Sequence, residues 1–198
     1  MRICRRGASL HIADAMRSLR PLIALFLLPL ALAAADRPVK IDRARSYVDV
    51  DVKATVDSFT AHLDNYDLRA TVDDKDRFKS AVMTFKFADL KTGKPERDAT
   101  MLEWLGGNDP AGRFELGIVA VTPSGQGQVS GNLTFHGKTA QVEFPVNITK
   151  ADGAYIITGE ATVDYRNWGL KTYRKLGVLK VDPQVKVRFK FTGVPAEG

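Results

Sequence analysis

The side chains best suited to chemistry are few, and their spacing assembles no recognisable centre. Of the three histidines, His62 and His136 lie far apart and without the spacing of metal ligands. His136 sits just before Gly137, on the polar side of an expected hairpin, where its expected role is a hydrogen bond that stabilises the turn. Asp73, Asp74 and Asp76 form an acidic cluster of the kind that can hold calcium. Without the loop glycine and terminal glutamate of an EF-hand, they read as a solvated turn. Asp164, Tyr165 and Arg166 alternate along a strand pattern, so they cannot all converge on one site. Serine-nucleophile motifs and phosphate loops are absent, and the single cysteine is Cys4. The expectation is no catalytic residue, no metal site and no enzyme activity.

The elements that would carry these residues are strands. From Ser46 the hydrophobic period is two. Val48, Val50, Val52, Ala54 and Val56 alternate with Tyr47, Asp49, Asp51, Lys53 and Thr55, and a weaker strand follows at Leu68, Ala70 and Val72. Further strands place Met83, Phe85 and Phe87 on one face, then Phe114, Leu116 and Ile118, then Leu133 and Phe135. Val142, Phe144, Val146 and Ile148 form the next, followed by Tyr155, Ile157, Ala161, Val163 and Tyr165, and by Val185, Val187, Phe189 and Phe191. Turn signals at Asp73-Asp74, Ser124-Gly125, Gly137-Lys138 and Asp152-Gly153 separate several of them. Eight strands with mostly short connections predict an all-β fold, an eight-stranded antiparallel barrel closed to remove its edges. Residues 97–107 interrupt the pattern with Met101, Leu102, Trp104 and Leu105 at helical spacing. A short helix is expected there, capped by Asp98 and stopped by Gly106 and Gly107.

Residues 1–35 read as an export signal that is removed, leaving residues 36–198 as one domain. Arg2, Arg5, Arg6, Arg17 and Arg20 precede an apolar run of Leu22, Ile23, Leu25, Phe26, Leu27, Leu28, Leu30 and Leu32, which ends in Ala33-Ala34-Ala35. Met16 is a second candidate start. Removing five of the 29 Lys+Arg and one of the 23 Asp+Glu leaves 24 and 22, so the net charge falls from +6 to +2. That near-balance excludes nucleic acid as the expected partner. The expected location is the periplasm.

A barrel of this size can be soluble with its apolar face inward, or a small outer-membrane barrel with that face outward. The dense Lys, Arg, Asp and Glu of the polar face read as a solvated exterior. Inward apolar residues can in turn fill the barrel or surround one ligand, and periodicity does not separate the two. A packed barrel serving protein contacts therefore stands as an alternative.

Three local patterns together resemble the YceI-like family of exported, lipocalin-like barrels. Gly131-Asn132-Leu133-Thr134-Phe135-His136-Gly137-Lys138 with Val142-Glu143-Phe144-Pro145-Val146 is similar to that family's Gly-x-Leu-Thr-x-His-Gly hairpin and paired strand. Val163-Asp164-Tyr165-Arg166-Asn167-Trp168-Gly169-Leu170 resembles its Arg-x-x-aromatic-Gly segment, and Lys91-Thr92-Gly93 with Arg97-Asp98 resembles its helix opening. The likeness runs from about Val39 to Gly193. Arg45-Ser46 and Ser58-Phe59-Thr60-Ala61 depart from the family's pattern, which bears on the first hairpin and on one end of the cavity.

The resemblance implies a hollow barrel holding a long apolar amphiphile: a polyisoprenoid, an isoprenoid quinone or a fatty acid derivative, for transport or storage. The expected cavity lining is Val50, Val52, Met83, Phe85, Phe87, Trp104, Phe114, Leu116, Ile118, Leu133, Phe135, Phe144, Val146, Ile157, Val163, Tyr165, Trp168, Val187 and Phe189. Trp104 or Trp168 would close the mouth, with Arg97 and Arg166 beside the head group. No cofactor other than such a ligand is expected. Transient contact with a membrane or a membrane redox protein, and a homodimer, complete the expected partners.

Overall fold

The computed structural model describes residues 36–106 and 110–196. The expected export signal lies outside them. Eight antiparallel staves close into a barrel, and the first three are each broken into two strands. These are β1 (Arg37–Ile41) with β2 (Tyr47–Val52), β3 (Phe59–Leu63) with β4 (Tyr66–Val72), and β5 (Phe78–Lys86) with β6 (Leu90–Lys91). The helix α1 (Pro95–Leu105) follows, then β7 (Ala111–Val121), β8 (Gln126–Phe135), β9 (Lys138–Ala151) and β10 (Ala154–Asp164). A small hairpin, β11 (Arg174–Lys175) and β12 (Leu179–Lys180), precedes β13 (Gln184–Pro195). Closure comes from β13. It pairs with β10 on one side and with both β2 and β1 on the other.

The breaks have local causes. Between β1 and β2 the chain makes a turn of 3-10 helix at Arg43–Arg45, whose first amides bond to the Asp42 carboxylate. Ser46 Oγ accepts the Thr192 amide at 3.0 Å, standing in for the ladder partner that the excursion removes. At its other end the first expected strand stops at Val52, four residues short of Val56. β1 and β3 were not expected, although Phe59, Ala61 and Leu63 alternate with Thr60 and His62.

The helix begins earlier than its sequence suggests. Pro95 occupies the first turn, and Asp98 is no cap: its carboxylate reaches back to the Thr92 amide at 2.9 Å and the Thr92 hydroxyl at 2.6 Å. Gly106, at φ 65°, ends it. The acidic turn is also more than a solvated loop. Asp73 is buried, bonding the Arg77 and Lys75 amides, while Asp76 gathers Arg37 at 2.8 Å, Lys150 at 2.6 Å and the Tyr155 hydroxyl at 2.6 Å.

The outside of the barrel is charged and internally paired: Arg188 with Asp51 and Lys186 with Glu160 at 2.6 Å, and Arg113 with Glu115 at 2.7 Å. A lipid-facing wall would have to bury these groups, so the outer-membrane alternative is overturned.

Candidate functional site

Inside the staves lies a cavity of about 810 Å³ with an almost wholly apolar lining. Such a volume falls within the roughly 300–1,000 Å³ of small-molecule sites. The solidly packed alternative does not describe this interior. At the inner end, Ile41, Phe78, Ala81 and Ile157 face the cavity and pack on Val39, Val72 and Tyr155, which close the barrel beneath it. At the outer end the lining reaches the surface at Val56, Leu176 and Val178.

The space persists because several phenylalanine rings recline along the wall. Inward positions of β7, β8 and β10 are glycines, and a neighbouring ring lies over each. A Cβ on Gly112 would fall 2.3 Å from Phe85, on Gly131 2.5 Å from Phe114, and on Gly159 2.5 Å from Phe189. Phe85 and Phe189 are the cross-strand partners of Gly112 and Gly159. An inward side chain at those glycines would lift the rings into the lumen. Edge-to-face contact of Phe144 with Phe189 at 5.6 Å, and stacking of Phe189 on Phe191 at 5.3 Å, fix the rings further.

The structure places Val50, Val52, Met83, Phe85, Phe87, Trp104, Phe114, Leu116, Leu133, Phe135, Phe144, Val146, Ile157, Val163, Tyr165, Val187 and Phe189 around the cavity. Three expected residues lie elsewhere. Ile118 is 70% exposed, because a bulge at Gly117 shifts the register between Leu116 and Ile118 and hands the inward position to Val119. Trp168 is fully buried and does not line the cavity or its mouth. It stacks on Phe135 at 4.6 Å and donates its indole N–H to the Leu133 carbonyl at 2.9 Å. Arg166 points away from the cavity into a fork with Asp164, two residues back on the same strand end.

The mouth is framed by residues 53–58, the start of α1 and the β11–β12 hairpin. Arg97 lies here, its guanidinium 3.9 Å above the Phe59 ring and its Nη2 2.7 Å from Asp57 Oδ2. Lys94 reaches the same carboxylate at 3.3 Å, and the two cations hold the Asp57 carboxyl below the usual range. Trp104 ties the helix across the opening: its ring meets Tyr165 edge-on at 4.9 Å and its N–H donates to the Lys171 carbonyl at 3.2 Å. Lys94, Glu96, Arg97 and Lys175 supply charge at the rim of an otherwise apolar space. Reading by alternation missed Phe59, Tyr173, Leu176, Val178, Leu179 and Val181 in this frame; the 59–63 alternation was a usable signal for the first of them.

The histidines have separate surroundings. His62 Nδ1 meets Asp49 at 2.7 Å on the outer wall, and His136 donates from Nδ1 to the Trp168 carbonyl at 3.0 Å, bracing the β8–β9 turn against residues 165–169. Among the described residues no three His, Cys, Asp or Glu side chains gather as a metal-holding group.

An eight-stranded antiparallel barrel around a deep apolar cavity with one helix across its end defines a lipocalin-like barrel. Residues 39–193 match the YceI-like domain, and the chain belongs to the YceI-like family. Its fold is similar to that of Burkholderia cenocepacia BcnA, with TM-score 0.65 and 19% identity over 77% of this chain and 99% of that one. It is also similar to the YCEI protein of Campylobacter jejuni, with TM-score 0.53 and 12% identity over 72% of this chain and 88% of that one. A mutant of the CJ YCEI protein, solved with a monobromobimane guest, gives TM-score 0.54 at 13% identity over the same 72% and 88%. No curated protein matches the chain.

Proposed function

We propose that the protein holds one long-chain apolar amphiphile, with the tail in the barrel and the head at the mouth beside Arg97, Lys94 and Lys175. The observation that carries the reading is the 810 Å³ apolar cavity, open at one end where charged side chains stand. Each methylene transferred from water to such a lining contributes about 0.8 kcal/mol before ordering costs, so a few isoprene units or a fatty chain suffice for tight binding. An isoprenoid, an isoprenoid quinone or a fatty acid derivative meets this description. The reading further places the protein in the periplasm, exported by cleavage after Ala35, and assigns it carriage or storage of the ligand, not its conversion.

Displacement of a fluorescent fatty acid from the purified protein by polyprenyl alcohols, quinones and fatty acids of graded length tests the binding. Saturable one-to-one uptake with affinity rising with chain length until the cavity is full is expected. Absence of uptake across the whole series would overturn the reading.

A further inference from the structure

The surface changes character around the mouth. The β11–β12 hairpin turns through Leu176 and Gly177, both at positive φ, and leaves Leu176 and Val178 88% and 71% exposed. Val56, 70% exposed, stands beside them. Its segment is stitched to the hairpin: Ala54 bridges Val181, the Thr55 amide donates to the Lys180 carbonyl at 3.0 Å, and the Thr55 hydroxyl donates to the Val178 carbonyl at 2.7 Å. Three apolar side chains thus project from two joined loops directly at the cavity opening. Leucine at φ 53° is a conformation that glycine or asparagine adopts more readily, so the tip carries a large apolar side chain against local preference.

Cations surround this tip. Residues 171–180 hold Lys171, Arg174, Lys175 and Lys180 and no acid. All four are exposed, and among the described residues none of them is in an ion pair, whereas Arg113, Lys186 and Arg188 on the barrel wall are each paired. Of the acids nearby, Asp57 is taken by Lys94 and Arg97, and Asp182 accepts the Gln184 amide; Glu96 is the third.

We infer that this rim docks on a bilayer rich in anionic headgroups, so that the cavity mouth faces the acyl layer. Exposed apolar tips ringed by lysine and arginine are the chemistry of interfacial binding: the tips enter the headgroup boundary and the cations meet phosphate. The continuity of tips and cavity gives a tail an apolar route between membrane and barrel. The purpose of the docking rests on the amphiphile reading, but the contact itself does not.

Cosedimentation with vesicles of phosphatidylglycerol and phosphatidylethanolamine, against pure phosphatidylcholine, tests it. The protein is expected to bind the anionic vesicles, to leave them as salt is raised, and to lose about tenfold or more in partitioning on Arg174→Glu with Lys180→Glu, or on Leu176→Asp. The Arg174→Glu, Lys180→Glu pair should bind the fluorescent fatty acid in solution as the parent does. No preference for anionic vesicles, or equal partitioning of parent and variants, overturns the docking surface. So does a homodimer that Leu176→Asp dissociates without any vesicle binding, which would assign the rim to a second copy. Vesicle binding without uptake of the fatty acid would keep the docking surface and reject the cavity reading.

Discussion

Arg97 and Asp57 meet at 2.7 Å across the cavity mouth, joining helix α1 to the loop between β2 and β3. The pair closes one side of the opening, and the Phe59 ring beneath the guanidinium makes the contact part of the apolar wall.

Breaking that tie should speed ligand release. Asp57→Asn is expected to raise the off-rate about two- to fivefold, the range of an exposed ion pair. The Asp57 carboxyl is held below its ordinary value, first by Lys94 and then by Arg97, so the tie is intact above the usual aspartate range and is lost only as pH falls below it. Stopped-flow displacement across pH should show the acid acceleration in the parent and a flat, fast rate in Asp57→Asn.

Narrowing the cavity should weaken uptake while sparing the fold. Ala161 faces the lumen opposite Val187, and in Ala161→Phe the ring can extend into open space rather than into packed core. Tail affinity is expected to fall by about tenfold or more. Stability, read from urea midpoints, should change by no more than about 1 kcal/mol, less than the usual penalty of overpacking.

Gly131→Ala should have the opposite balance. Its Cβ would meet Phe114 at 2.5 Å and the Glu115 backbone carbonyl at 2.6 Å, and the backbone cannot yield as a side chain does. A loss of about 1–3 kcal/mol is expected, together with weaker ligand uptake as Phe114 is lifted into the lumen. Thermal melting with the displacement assay measures both.

Acid should weaken the Asp76 and Asp51 ties together. Hydrogen bonds from Lys150, then Tyr155, bring Asp76 down to about 2, and Arg188, then Thr60, do the same for Asp51. Both folded values lie below the unfolded value near 3.9, so their stabilisation is complete above about pH 4 and disappears as pH falls toward 2. Burial and the Asp76 carboxylate together raise the Tyr155 hydroxyl, which keeps it a donor. Asp76 is more than a third exposed, so screening limits the cost of Asp76→Asn to about 1 kcal/mol at neutral pH, with a shallower loss of stability in acid. Urea midpoints at pH 7 and pH 2.5 test this.

Strand alternation made most of the wall legible, because a residue's parity alone decides its side in β2, β5, β8, β9 and β13. Parity fails where an extra residue enters, and Gly117 turned Ile118 outward with no marking in the pattern beyond the glycine itself. Trp168 and Arg166 were misplaced for another reason: both sit in a turn of 3-10 helix after β10, where period two no longer applies. Hollowness was carried by positions that alternation treats as gaps, the inward Gly112, Gly131 and Gly159 that let rings lie flat. Trp104 and Arg97 were legible at the mouth, but its hairpin side was missed because β11 and β12 have two residues each, too short to show a period.

The central claim is a stoichiometric apolar ligand in the barrel. Mass spectrometry of the protein taken from its native host, intact under native conditions and again after organic extraction, measures it directly, and the intact mass tests the proposed cleavage after Ala35. One apolar adduct per chain that is released by extraction, on a protein beginning at Asp36, is the predicted result. Bare protein that stays bare after incubation with polyprenyl and fatty lipids would contradict the account.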